Sequence, residues 1–222
     1  QTTTNGTVAI GRSALYSLTS GAGNIALGYQ AGTSVSTGAN NTLVGYQSGD
    51  AISSGSNNTA LGKNALSALT IGTTNVAIGG ASLSSEVTGY GIVSVGYGAF
   101  SNANHDPTQG SAQAVFSTAV GYIAGGLTTT GHTNNYIGAY AGYQNTTGSG
   151  NVAVGYSSLM AANTASDCVA IGNNAMANAS IDEAFSGVVA VGNGALNGSS
   201  STTTGINNTV AVGYKALEAL TT

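Results

Sequence analysis

Charge is the scarcest property of this sequence. Only 5% of its 222 residues are charged, against about a quarter in an ordinary globular domain. Its three basic residues are too few for a phosphate-tracking stripe, which excludes nucleic acid as a partner and argues against anionic membrane surfaces. One proline beside 35 glycines excludes collagen, which needs both in quantity and in a three-residue register. Cys168 is the single cysteine, so there is no disulfide framework and no cysteine-based zinc site; it reads as a small buried hydrophobe. No apolar run approaches about 18 residues, so no helix inserts into a membrane. With 41% hydrophobic residues and a net charge of only −4, the chain does not have the composition of a disordered segment. It opens without Met or a signal peptide, which is expected of a processed product or an excised fragment.

What the sequence does have is repetition. Residues 147–159, TGSGNVAVGYSSL, restate 54–66, SGSNNTALGKNAL. Aligned on the glycine that follows an aliphatic residue, the units fall at Gly11, Gly28, Gly45, Gly62, Gly79, Gly96, Gly121, Gly138, Gly155, Gly172, Gly192 and Gly213. Eight of the eleven intervals are 17 residues, and the others are 25, 20 and 21.

The residue before each anchoring glycine is aliphatic, from Ile10 to Val212, and two residues earlier stands another in eight units, such as Val8, Ile25 or Val76, with Thr42, Thr59, Thr118 and Asn135 in the other four. Spacing by two places both on one face of a strand, which is expected to be the core. The residue between them is usually alanine. With the glycine it forms the opposite face, and Ala26, Gly28, Ala60, Gly62, Ala77, Gly79, Ala153 and Gly155 are the candidate subunit-packing surface. The stretch after the glycine, as in YKALEAL, is expected to be one helical turn or a second short strand. A second glycine seven residues before the anchor (Gly21, Gly38, Gly55) is expected at a corner with positive φ. The asparagines that open each strand, such as Asn24, Asn41 and Asn58, can hydrogen-bond along a ladder. One unit cannot bury its own apolar face, whereas stacked units can. The sequence therefore predicts a single all-β domain over 1–222, a parallel β-solenoid or β-roll of twelve coils with a 17-residue period.

The phrase NVAVGYSSL resembles the head repeats of YadA-type trimeric autotransporter adhesins. NNTALGKNAL and GNIALGYQAG are similar to repeats of phage tail fibres associated with endosialidase-type chaperone domains. The likeness covers essentially the whole chain. It implies a left-handed roll, trimerisation, and an extracellular, cell-surface or virion location.

Residues that could carry chemistry are sparse. Lys63 lies in a phrase near a phosphate loop, but six residues separate Gly55 from Gly62 where four are required, and Asn64 stands where Ser or Thr would hold magnesium. A triad built on His105 and Asp106 lacks a Gly-x-Ser-x-Gly elbow. Seven acidic residues scattered along the repeats exclude a calcium roll. No catalytic residue, metal ligand or cofactor is expected, and the protein is read as not an enzyme. Tyrosine follows the anchor at Tyr29, Tyr46, Tyr97, Tyr122, Tyr156 and Tyr214; a sugar-binding ladder is the sharp reading, and stacking between coils is the plainer one. The longest insertion spans 101–116 and contains His105, Asp106, Pro107 and Gln109, the candidate receptor-binding loop. Solenoid insertions often form the binding face, although a tolerated surface loop is the plainer reading.

The expected function is a non-enzymatic structural component of a fibre, with self-association into a homotrimer or a head-to-tail polymer. The alternative is an adhesin or tail-fibre module that binds a host-cell glycan or protein through 101–116. An ice-binding solenoid ranks below both, because no face keeps a strict Thr-x-Thr ladder.

Overall fold

The computed structural model describes residues 6–105, 113–178, 184–198 and 206–218. The described chain is all-β and contains no helix. It divides into two compact units, Gln1–Phe116 and Ser117–Thr222. The first holds β1 (Val8–Ile10), β2 (Ile25–Leu27), β3 (Thr42–Val44), β4 (Thr59–Leu61), β5 (Val76–Ile78), β6 (Gly89–Tyr90), β7 (Val93–Val95) and β8 (Gln113–Ala114). The second holds β9 (Thr118–Val120), β10 (Asn135–Ile137), β11 (Val152–Val154), β12 (Val169–Ile171), β13 (Val189–Val191) and β14 (Val210–Val212).

Each three-residue strand pairs in parallel with its equivalent one repeat away. Ala9 faces Ala26, Ala26 faces Leu43 and Leu43 faces Ala60 in the first unit; Tyr136 faces Ala153 and Ala153 faces Ala170 in the second. This is the predicted solenoid with its 17-residue period. A second, small parallel pair in the first unit joins β6 to β8, which lies within the long insertion.

The core lies on the face opposite to the one expected. Ala26, Ala60, Ala77, Ala153 and Ala170 are fully buried within the single chain, and the flanking aliphatics point outward. The proposed packing surface of Ala26, Gly28, Ala60, Gly62, Ala77, Gly79, Ala153 and Gly155 is thus corrected: its alanines are interior. Ile171, expected to be buried, is 39% exposed, and Ile78 is half-buried. The reason is volume. A 17-residue coil encloses a narrow space, and the large side chain that packs against the strand comes from four residues after the anchor: Leu66, Leu83, Leu159 or Met176. Alanine is what fits opposite it. Where the strand brings a larger residue inward, the fourth position becomes glycine. Leu43 is matched by Gly49 in its own coil and Gly32 in the preceding one, and Tyr136 by Gly142 and Gly125. A Cβ at Gly32 would stand 2.6 Å from Leu43 Cδ1, and one at Gly142 would stand 2.5 Å from Tyr136 Cε1.

The stretch after each anchor is neither a helical turn nor a strand. Backbone φ is positive at the second and fourth residues beyond the glycine, as at Asn64 (57°) and Leu66 (53°) or Ser157 (52°) and Leu159 (51°). Left-handed leucine is costly, about 1–2 kcal/mol, and the burial of its side chain offsets that cost. The anchoring glycine itself has φ near +128 to +143°. A Cβ on Gly62 would lie 2.6 Å from the carbonyl carbon of Gly79 in the next coil, so both conformation and space require glycine there. The earlier corner glycines differ from expectation. Gly38 and Gly55 do not have positive φ. They are glycine because a Cβ on Gly38 would meet the Gly55 carbonyl group, 3.2 Å from its carbon. The left-handed turn comes two residues later, at Asn40, Asn57 and Thr74.

The asparagine ladder forms as expected. Asn41 Nδ2 donates to Asn24 Oδ1 (3.0 Å) and to Gly55 O (2.9 Å), and Asn24 Oδ1 also accepts the Asn41 N–H (3.0 Å). Asn58 and Asn75 repeat the pattern, and the N–H of Ile92 donates to Asn75 Oδ1. In the second unit Asn151 bonds Asn134 in the same way, and Cys168 donates its N–H to Asn151. Cys168 is fully buried, as read from the sequence, and burial raises the pKa of its thiol. At another corner, the hydroxyls of Ser36, Ser53 and Thr70 donate to the carbonyls that already accept their own N–H groups.

Candidate functional site

The outer face of each parallel sheet carries two ranks of aliphatic side chains. In the first unit Val8, Ile10, Ile25, Leu27, Leu61 and Val93 are between 37% and 58% exposed. In the second, Val120, Ile137, Ile171, Val210 and Val212 are likewise exposed. Regular β-branched residues suit the strand whichever way they point, so the sequence pattern does not distinguish this face from a core.

Beyond the anchor runs the aromatic row. Tyr29 and Tyr46 stack, with ring centroids 5.3 Å apart and planes at 15°. Arg12 lies over Tyr29 at 6.0 Å and Lys63 over Tyr46 at 5.9 Å, so a cation closes the stack at each end. In the second unit Tyr140 meets Tyr122, Tyr143 and Tyr156 edge-on at 5.5, 5.9 and 6.1 Å. The Tyr29–Tyr46 stack and the contacts of Tyr140 with Tyr122 and Tyr156 join neighbouring coils, as the plainer reading of the tyrosines predicts, whereas Tyr140 and Tyr143 meet within one coil. The row breaks at Gly80, and a notch of about 270 Å³ opens there, lined by Lys63, Asn64, Gly80, Ala81 and Tyr97.

Of the candidate receptor loop, Asp106, Pro107 and Gln109 lie outside the described residues. His105 is described, and it is not a surface residue: it is buried, with Nδ1 2.6 Å from Oε2 of the fully buried Glu86. Glu86 Oε1 accepts the N–H groups of Val87 (3.1 Å), Thr88 (3.1 Å) and Gly89 (2.6 Å). The Thr88 hydroxyl donates to His105 O at 2.6 Å. His105 is therefore corrected from a receptor contact to part of an interior clamp. Sequence reasoning missed Glu86, although a signal was present. It occupies the place that Val35, Ile52 and Leu69 hold in earlier coils, a row that is otherwise apolar and buried in those coils.

Tyr136 is the largest fully buried side chain. Burial pushes the pKa of its phenol well above the ordinary value, partly countered by the neighbouring Asn151 side chain. Among the described residues no group of three or more His, Cys, Asp or Glu side chains could hold a metal ion, and no helix is long and apolar enough to cross a membrane. Comparison with family models, with curated proteins and with solved structures gives no match for this chain.

Proposed function

We propose that this chain is a non-enzymatic structural element of an extracellular or virion fibre, and that its solenoids associate with further copies through the outward aliphatic ranks. The observation that carries this reading is that face. Contiguous apolar surface on a soluble protein marks an interaction site. Covering a half-exposed Val, Leu or Ile is worth about 1 kcal/mol, so the six such residues of the first unit alone supply about 6 kcal/mol. The self-complementary occupant is another copy, because the rank before the anchor is aliphatic in every coil, the second rank is aliphatic in eight of twelve, and almost no charge would choose a different partner. Three copies is the number implied by the resemblance to adhesin heads. Sedimentation velocity of the parent and of Ile25→Lys/Leu61→Lys tests the reading. The parent is expected to be an oligomer, and the variant a monomer with the same circular dichroism. A parent that sediments as a monomer, or a variant that still assembles, overturns it.

A further inference from the structure

We propose that the break in the tyrosine row is a binding site for a single acidic sugar ring of the uronic acid class. In the first unit the residue after the anchor is Arg12, Tyr29, Tyr46, Lys63, Gly80 and Tyr97 in successive coils. Only the fifth lacks a side chain, so the row opens at Gly80 between two walls. One wall is Tyr97, whose ring is 60% exposed. Its edge comes so near that a Cβ on Gly80 would be 3.3 Å from Cδ2. The other wall is Lys63 and Asn64. The volume of about 270 Å³ lies just below the range of drug-sized pockets, about 300–1,000 Å³, and matches one ring.

Each wall offers a distinct piece of recognition chemistry. The tyrosine face accepts the C–H surface of a pyranose, as amphipathic aromatic rings do. Lys63 forms no ion pair among the described residues. Its ammonium group lies over the Tyr46 ring with no carboxylate beside it among the described residues, so it can take one from a ligand. Asn64 is held in the left-handed conformation by its backbone, and no hydrogen bond from its side chain is made within the described residues. Its Oδ1 is turned inward with no partner. Its Nδ2 makes no hydrogen bond among the described residues and is not buried with Oδ1, so the carboxamide offers a donor to a ring hydroxyl. A cation, an amide and an aromatic face around a slot of one-ring size select a carboxylated sugar over a neutral one. The site lies past the anchoring glycine, off the strand face, and the inference holds whether or not that face assembles.

Ligand-observed saturation-transfer NMR on the full chain, with D-glucuronate as probe and D-glucose and acetate as controls, tests the proposal. Glucuronate is expected to receive saturation on its ring protons and to bind more tightly than glucose. Lys63→Gln is expected to weaken glucuronate roughly tenfold, the size of one charge-assisted hydrogen bond, and to leave glucose unchanged. Gly80→Tyr places here the residue that the next coil carries at Tyr97 and fills the notch; with circular dichroism matching the parent, it is expected to abolish binding. Glucuronate binding that survives Gly80→Tyr overturns the proposal. So does a preference for acetate equal to that for glucuronate, which would reduce the site to a bare charge, or glucose binding as tightly as the acid.

Discussion

Exchanging Tyr136 and Gly142 for Ala and Leu tests whether the coil interior conserves volume. Tyr136→Ala alone removes a fully buried ring and leaves a cavity, at a cost of about 3–5 kcal/mol. Gly142→Leu alone places a Cβ 2.5 Å from Tyr136 Cε1. That overpacking costs about 1–3 kcal/mol, and the left-handed φ of 61° at this residue adds about 1–2 kcal/mol once it is no longer glycine. Independent effects would sum to about 5–10 kcal/mol, most of the stability of a natural domain. The double variant recreates the next coil, where Ala153 lies in the same interior as Leu159. It should fall within about 2 kcal/mol of the parent, the residual being the left-handed leucine. A coupling of at least about 3 kcal/mol between neighbouring residues lies at the upper end of measured values. Urea unfolding followed by circular dichroism reads all four corners of the cycle. A double variant that loses the sum of the two single losses refutes the volume argument.

Other outcomes follow from the same geometry. Asn58→Ala strips the Asn75 N–H and the Gly72 carbonyl of buried partners and should cost about 2–4 kcal/mol, read as a fall in urea midpoint. Glu86→Leu restores the apolar row yet leaves the N–H groups of Val87, Thr88 and Gly89 without their acceptor; a loss of about 3 kcal/mol is expected, and a gain would refute the clamp. The raised pKa of Tyr136 means that its phenol stays protonated in the fold after it ionises in the unfolded chain. Its contribution is complete below about pH 10 and declines above it by up to about 1.4 kcal/mol per pH unit. Tyr136→Phe should abolish that part of the alkaline slope in a melting series.

The period, the parallel stacking and the asparagine ladder were legible because each leaves a mark at fixed spacing. Ala9, Ala26 and Ala60 could not be placed inside or outside by spacing alone. An alternating strand reads identically from both faces, and hydrophobicity favoured Val and Ile over Ala as the core. The deciding quantity was the room left by the residue four places after the anchor, which becomes visible once Leu43 and Tyr136 are noticed to travel with Gly49 and Gly142. The turn glycines misled for a related reason. Gly38 and Gly55 answer to a neighbouring coil's backbone rather than to their own φ, and a contact across 17 residues leaves no local signature. Glu86 and His105 were each legible as exceptions within the repeat, but 19 residues separate them and nothing in the pattern joins the two.

The exchange of bulk between the strand and the fourth position bears on how such a chain can be inherited. Repeated coding sequence invites slippage, which drops or duplicates whole coils. Most junctions tolerate this, since an alanine coil fits against another alanine coil. The coil anchored at Gly28 is different. Its loss would bring Leu43 against Leu15 with no Gly32 to receive it, because a Cβ at Gly32 would already crowd both Leu43 Cδ1 (2.6 Å) and Leu15 Cδ2 (2.9 Å). That coil and the next are heritable only as a pair. The coil anchored at Gly121 is bound in the same way, since its Gly125 precedes Tyr136. The gene therefore has permitted and forbidden break points, and length variants of the protein should differ by single whole coils except at these two places.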